Sequence, residues 1–128
     1  MSSRETFDAF SNGKLTGLEK SFGDINWYLH PKFEGVEMKD IITSEETEGK
    51  FSFHLVKIAP EKKIGLHIHE NQLETHEVIF GEGLCKTEDK EYTYESGRIA
   101  IFPAKTKHEI TAGSEGLYIF AKFIPALK

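Results

Sequence analysis

At 128 residues the chain is long enough for one domain with its own core, and 38% hydrophobic and 29% charged residues are typical of a globular protein. A net charge of -5 without any basic stripe argues against nucleic acid as a partner. The lone Cys85 excludes an intrachain disulfide framework, and no apolar run approaches membrane-spanning length or the core of a leader peptide. We therefore expect a soluble, cytoplasmic protein that does not bind membranes.

Residues 1–24 are the only part of the chain with a helical pattern, and we treat them as an N-terminal arm. Ser2-Ser3-Arg4-Glu5 matches a capping box ahead of Phe7 and Phe10. Glycines at 13, 17 and 23 interrupt the pattern, so any helix is short. The arm needs a surface to pack on, either its own sandwich or a partner subunit.

From residue 25 onward the sequence predicts strands and turns. Strands are expected at 26–29 and 36–43, and the acidic run 44–49 is expected to be a solvated turn. Phe53 and Leu55 alternate with His54 and Val56, which places the two pairs on opposite faces of a strand. About ten short strands with turns at 81–83 and 113–116 predict an all-β sandwich or barrel, one domain over residues 25–128.

The stretch 65–83 carries the clearest chemical signal in the chain. His67 and His69 are two residues apart, so both imidazoles share one face if the segment is a strand. Glu74 follows after a short polar connection, and the next strand is expected over 76–80. A hairpin of this kind brings two imidazoles and a carboxylate to one cation, for which Zn²⁺, Fe²⁺, Mn²⁺, Ni²⁺ and Cu²⁺ are all suitable.

The chain resembles the cupins through two motifs of that family. In the first, G(x)5HxH(x)3–4E(x)6G, the sequence supplies His67, His69, Glu74 and Gly81, with Glu61 at the place of the leading glycine. In the second, G(x)5PxG(x)2H(x)3N, it supplies Gly97, Pro103 and His108, with Lys105 and Ala112 at the places of the second glycine and the asparagine. The resemblance implies a jelly-roll barrel, also called a double-stranded β-helix. It covers roughly residues 51–123 and does not account for the short N-terminal arm.

The same resemblance implies a metal site and a class of function. Its ligands would be His67, His69, Glu74 and His108, holding one divalent transition metal (Fe, Mn, Ni, Zn or Cu) and leaving positions for water or substrate. We expect a metal-dependent enzyme of the dioxygenase, decarboxylase or isomerase type that acts on a small organic substrate. The alternative is a non-catalytic cupin that binds or senses a small molecule.

Other titratable residues have more than one interpretation. His76 shares the face of Glu74, and is either a partner of the ligands or an acid/base near the substrate, or else a buried histidine bonded to backbone. Glu77 faces the other way and is a ligand only if the register slips by one. His54 is expected at the surface, although it could line the cavity, His30 in a turn and Cys85 in the core.

A single sandwich must also protect its strand edges and outer apolar faces. Leu66 and Ile68 are expected to face away from the metal. We therefore predict a homodimer formed by sheet-to-sheet packing, with the arm on the partner or over the barrel.

Overall fold

The computed structural model describes residues 2–128 and consists mostly of β-strands. Its helical segments are α1 (Ser3–Ser11), a 3₁₀ turn (Phe22–Asp24) and α2 (Ser44–Thr47). The strands are β1 (Lys14–Leu15), β2 (Lys20–Ser21), β3 (Tyr28–Leu29), β4 (Val36–Ile42), β5 (Ser52–Ile58), β6 (Lys63–His67), β7 (Leu73–Thr87), β8 (Glu91–Glu95), β9 (Ile99–Phe102) and β10 (His108–Ile124). None of the helices formed by residues 2–128 reaches the length and hydropathy needed to span a bilayer.

Strands β7 and β10 are the two long central strands of the fold. They pair antiparallel along almost their whole length, in a sheet of order β3-β4-β5-β10-β7-β8. The first part of β10 also pairs with β6 and its second part with β5, while β9 pairs with β7. Two long strands shared by two sets of shorter ones close the sheet into a jelly roll, so the predicted all-β fold is confirmed.

The breaks predicted at 81–83 and 113–116 are wrong, because both long strands continue through them. The glycines serve instead to let two backbones approach each other. A Cβ on Gly81 would lie 2.0 Å from the carbonyl oxygen of Gly116, and one on Gly83 would lie 2.2 Å from that of Thr111. Gly81 also has φ +88°, a conformation that other residues rarely adopt. Between Ala112 and Leu117 the register shifts, which is where the strands bend.

The alternation predicted for β5 is confirmed, and it separates two apolar clusters. On the inner face Val56 and Ile58 join the core inside the barrel. On the outer face Leu55 belongs to a second cluster that includes Phe7 of the arm and Phe120 of β10. Because successive side chains of a strand point to opposite faces, one strand contributes to both clusters.

The N-terminal arm packs on the outer face of its own sheet. Helix α1 begins at the predicted capping box, with Ser2 and Glu5 bonded reciprocally. Phe7 has no exposed surface, and its ring lies 4.9 Å from that of Tyr118. Buried Lys39 on β4 donates through Nζ to the carbonyl oxygens of Ser11 at 2.7 Å and Phe22 at 2.9 Å. These contacts fasten the end of α1 and the 3₁₀ turn to the sandwich.

The acidic run 44–49 differs from its prediction as a plain turn. Its first residues form the single helical turn α2, begun by a capping box in which Thr43 accepts from the backbone and Glu46 bonds back to it. The carboxylates of Glu45 and Glu46 lie in the first turn, where the helix dipole favours negative charge.

Candidate metal centre

The first motif does not form the hairpin that the sequence predicted. Among the strand pairs of residues 2–128, β6 pairs with β10 and not with β7, and His67 lies directly opposite His108. Glu74, near the start of β7, lies between Phe102 on β9 and Phe123 on β10. Barrel closure, not a local turn, therefore brings the imidazoles and the carboxylate together.

His69 is not on the strand that carries His67, because β6 ends at His67. It lies in the following loop, where its carbonyl oxygen accepts a hydrogen bond of 2.8 Å from the Lys105 backbone. Lys105 has φ +70° and Glu61 has φ +65°, the left-handed conformation suited to the glycines that the cupin motifs have at both places. The two loops thus keep a glycine-like backbone despite the different residues.

Three of the four expected ligands converge tightly. Donor atoms of His67, Glu74 and His108 all lie within 4.8 Å of one another. His69 lies outside this group, with its Nε2 3.6 Å from Glu74 Oε1. The four side chains therefore surround one point in the barrel, three closely and one from the neighbouring loop.

Two buried atoms in this group lack a hydrogen-bond partner, namely Glu74 Oε1 and His108 Nε2. They lie 2.9 Å apart without the alignment of a hydrogen bond. A buried polar atom left without a partner costs about 1–3 kcal/mol, so two adjacent ones require an explanation. A cation bound by both atoms would satisfy them, and the donor set of imidazole and carboxylate fits a divalent transition metal.

Hydrogen bonds to backbone carbonyl groups fix which ring nitrogen of His67 and of His108 faces the donor group. His67 Nδ1 donates to the Gly65 carbonyl oxygen at 2.8 Å, and His108 Nδ1 donates to that of Thr106 at 3.1 Å. In the neutral rings these bonds leave the Nε2 lone pairs free to bind a metal. The His108 ring is also stacked on Phe102, with centroids 4.0 Å apart, so its orientation is held on two sides.

The electrostatics favour the protonation states that metal ligands need. Burial, together with the nearby His108, lowers the pKa of His67 to about 4. Burial also lowers the pKa of His69. Burial alone would raise the pKa of Glu74, but His76 beside the carboxylate outweighs it and holds that pKa below its ordinary value. At neutral pH His67 and His69 are therefore neutral while the carboxyl is ionised.

His76 faces the interior with Glu74, as the alternation predicted, and contacts it directly. His76 Nε2 lies 2.7 Å from Glu74 Oε2, and His76 Nδ1 lies 2.9 Å from the hydroxyl of buried Tyr94. The ionised carboxylate only accepts, so Nε2–H donates to it and, in the neutral ring, Nδ1 accepts from Tyr94. Glu77 points outward and pairs with Lys122, away from the centre. The sequence alone did not identify Tyr94 as a buried partner of His76. No sequence feature distinguishes it from Tyr92, which lies on the same strand and is exposed.

A second buried polar chain lies beside the centre, and it corrects the surface position expected for His54. The His54 side chain has no exposed surface. Asp40 Oδ1 accepts from the Tyr28 hydroxyl and lies 2.7 Å from His54 Nδ1, while His54 Nε2 lies 2.7 Å from Ser52 Oγ. Ser52 Oγ also accepts from the Leu127 backbone at 2.9 Å. The serine is fully buried, so this array fastens chain segments and is not a nucleophile site.

Sequence reasoning had a signal for this chain that was not used. Asp40 lies two and four residues after Met38 and Val36, so it shares their inward face on β4. An acidic residue on a core-facing position requires a buried partner.

Two further predictions are confirmed. His30 is part of a turn, where its Nδ1 accepts from the backbones of Lys32 at 3.0 Å and Phe33 at 3.2 Å. Cys85 is a fully buried small side chain, and burial raises the pKa of its thiol.

Comparison with known proteins agrees with this geometry. Residues 54–120 match the cupin domain family. A curated relative, the oxalate-binding protein of Thermotoga maritima, is 28% identical over 91 residues, which cover 70% of this chain and 75% of that protein.

Several solved structures share the fold. A predicted oxalate decarboxylase of Thermotoga maritima superposes with a TM-score of 0.73 at 24% identity, covering 80% of this chain and 95% of that one. KdgF from Halomonas sp. gives 0.68 at 19% identity, covering 78% and 87%. An oxalate decarboxylase variant of Bacillus subtilis gives 0.75 at 20% identity, covering 91% of this chain but 32% of that larger one. The family match spans more than half of the chain, and the protein belongs to the cupin domain family.

Proposed function

We propose that this cupin is a metal-dependent enzyme acting on a small organic substrate, with His67, His69, Glu74 and His108 as the metal ligands. The observation that carries the proposal is the pair of buried, partnerless atoms, Glu74 Oε1 and His108 Nε2, that face each other inside the donor group. When bound, a divalent metal such as Fe, Mn, Ni, Zn or Cu acts as a Lewis acid toward substrate oxygens.

The residues around the ligands have a positioning role in this proposal. His76 occupies Glu74 Oε2, which leaves Oε1 as the oxygen directed at the centre. Tyr94 in turn holds the His76 ring through Nδ1. We therefore assign His76 to positioning the carboxylate and not to proton transfer, since both of its nitrogens already have partners.

Among the reaction types expected for a cupin, decarboxylation has the most support. The Bacillus structure is named as an oxalate decarboxylase and the Thermotoga structure as a predicted one, and the cavity beside the centre is small and largely apolar. An apolar wall keeps water away from a reacting carboxylate, which favours loss of CO₂ over hydrolytic chemistry. Dioxygenase and isomerase activities are the competing types.

The test begins with metal analysis of the purified protein, followed by assays on a panel of small carboxylates. We expect close to one transition metal per chain, and release of CO₂ without oxygen consumption. Oxygen uptake in step with substrate loss would replace decarboxylation by dioxygenation. If the purified protein binds none of the divalent ions of Fe, Mn, Ni, Zn and Cu, the proposal is wrong.

The second candidate is a non-catalytic ligand-binding protein. The name of the curated relative, an oxalate-binding protein, favours it. This candidate predicts stoichiometric binding of a small carboxylate to the metal-loaded protein, with the ligand recovered unchanged after prolonged incubation.

We also propose a homodimer. Tyr92 of β8 and Ile99 and Ile101 of β9 line one depression outside the barrel, and the two isoleucines are 74% and 62% exposed. Exposed apolar side chains clustered in this way are typical of association surfaces. Light scattering should report a dimer, and Ile99→Lys should shift it toward the monomer, while a monomeric wild type would contradict the proposal.

A further inference from the structure

The lining of the cavity beside the donor group has a polar part and a larger apolar part. Its volume is about 160 Å³. His67, His69 and Glu74 belong to the polar part. Most of the remaining lining is aliphatic or aromatic, with Tyr28, His30 and Lys128 among its further polar residues, and the apolar side chains include Met38, Val56, Ile64, Ile119, Phe123 and Leu127.

Cationic side chains are scarce around this cavity. The two arginines of the chain lie elsewhere, Arg4 over the rings of Phe80 and Tyr118, and Arg98 beside Glu95. Of residues 2–128, Lys128 is the one lysine that lines the cavity, and its ammonium lies 5.6 Å from the centre of the Tyr28 ring.

Charge balance then restricts the ligand. A divalent cation with one ionised carboxylate and neutral imidazoles has a net charge of +1. A singly charged ligand neutralises this centre. A dianion would leave a second negative charge against the apolar wall, and burial of an unpaired charge is strongly unfavourable.

We propose that the cavity selects a singly charged ligand that chelates through two adjacent oxygens and carries a compact apolar tail, as a short branched 2-oxo acid does. Its oxygens face the donor group, and its tail packs against Met38, Ile119 and Leu127. Dicarboxylates of similar size are rejected. This inference rests on the proposed function, because the chelating end requires the metal.

Calorimetric titration of the zinc-loaded protein with three probes tests the proposal without any turnover. Pyruvate, 4-methyl-2-oxopentanoate and 2-oxoglutarate share the same chelating end and differ in the tail, so their intrinsic affinity for the metal cancels. We expect 4-methyl-2-oxopentanoate to bind at least about tenfold more tightly than 2-oxoglutarate, with pyruvate between them, because each buried methylene is worth about fourfold. Equal or tighter binding of 2-oxoglutarate would overturn the inference.

Substitutions in the wall sharpen the test. Leu127→Lys adds a cation to the apolar part of the lining, in a segment outside the strands. It should improve 2-oxoglutarate relative to 4-methyl-2-oxopentanoate by at least about tenfold. Met38→Lys offers a second position on the same wall should Leu127→Lys disturb its own segment. Lys90→Met, at an exposed lysine that does not line the cavity, is the control. Lys128→Met removes the one lysine that lines the cavity, and the inference expects the preference to stay unchanged. If Lys128→Met selectively weakens 2-oxoglutarate, a cation at the cavity mouth recruits dianions and the inference is wrong.

The outcomes separate this inference from the function it rests on. Failure of zinc to bind the wild type would overturn both. Binding of one zinc per chain that His108→Ala abolishes, together with a preference for the dicarboxylate, would overturn only the ligand class.

Discussion

The inner and outer faces of β5 and β10 bury very different groups, although they belong to the same strands. Among the apolar residues of the barrel core, the inner face also buries titratable and hydroxyl side chains, namely Ser52, His54 and His108. The outer face buries Leu55 and Phe120 under the aromatic residues of the arm. The period-two alternation of a strand thus lets one sheet separate a chemical site from an apolar anchor. Substitutions on the two faces should therefore have separable effects.

The largest expected effect is on the inner face, at His108. His108→Ala removes a proposed ligand and one of the two partnerless atoms, so metal affinity should fall by more than about 100-fold. Metal content after dialysis and cooperative thermal melting measure the two consequences, loss of metal and retention of fold. His30→Ala is the control, since His30 lines the same cavity without belonging to the donor group. Equal metal in both variants and the wild type would refute the site.

On the outer face the anchor residue is Phe7. Phe7→Ala should lower the free energy of unfolding by about 3–5 kcal/mol, because the ring is fully buried and its loss leaves a cavity under the arm. Urea denaturation gives this value, and metal content should not change. Phe10→Ala on the same helix is the matched control, with a much smaller effect expected because Phe10 is 46% exposed. Loss of metal in Phe7→Ala would show that the faces are coupled.

Acidification should lower the free energy of unfolding of the metal-free protein, because His67 on β6 has a lowered pKa in the folded state. The unfolded chain protonates His67 near pH 6.5, but the folded protein does so only near a pKa of about 4. Between these values the unfolded state binds more protons, so stability is full above about pH 6.5 and falls as pH decreases. Allowing for partial exposure, we expect a loss on the order of 2 kcal/mol.

Urea denaturation at a series of pH values measures this loss, and His67→Gln should reduce it. Glu74, whose pKa is lowered in the folded protein, adds a further loss in the same direction, below its unfolded pKa of about 4.3. Stability that increases on acidification would contradict the neutral state assigned to His67.

A smaller effect is expected two contacts away from the centre. Tyr94→Phe removes the hydroxyl that holds His76 and should weaken metal binding by about tenfold, the lower end for such supporting partners. Chelator competition measures the change. Tyr92→Phe is the control, because Tyr92 lies on the same strand but is 46% exposed. No difference between the two variants would leave His76 without a positioning role.

Local pattern was sufficient to predict much of the molecule. The capping box of α1, the two faces of β5 and the spacings of the histidine motifs are properties of neighbouring residues. They were sufficient to predict the helix start, the alternation and the three residues whose donor atoms converge. Pairing between strands that are distant in the sequence could not be predicted from local patterns. The predicted hairpin of β6 and β7 was wrong because β6 pairs with β10, 41 positions away at His67 and His108.

The glycines also show that a residue's role can depend on a strand that is distant in the sequence. Gly81 was interpreted as the end of a strand, since glycine usually marks a turn. Its actual role depends on Gly116 of the neighbouring strand β10, whose carbonyl oxygen lies 2.0 Å from where a Cβ on Gly81 would be. Likewise, Asp40 and His54 are recognisable as a buried pair only once β4 and β5 are known to be neighbours.

The position of residues 126–128 has a practical consequence for handling the protein. The Lys128 carbonyl oxygen accepts 2.7 Å hydrogen bonds from the backbone and hydroxyl of Ser44, and Leu127 and Lys128 line the cavity. Any peptide joined after Lys128 begins at the cavity mouth. A polyhistidine tag placed there would bring additional imidazoles to the metal centre and distort both metal stoichiometry and ligand titrations. Purification tags therefore belong at the other end of the chain, before α1.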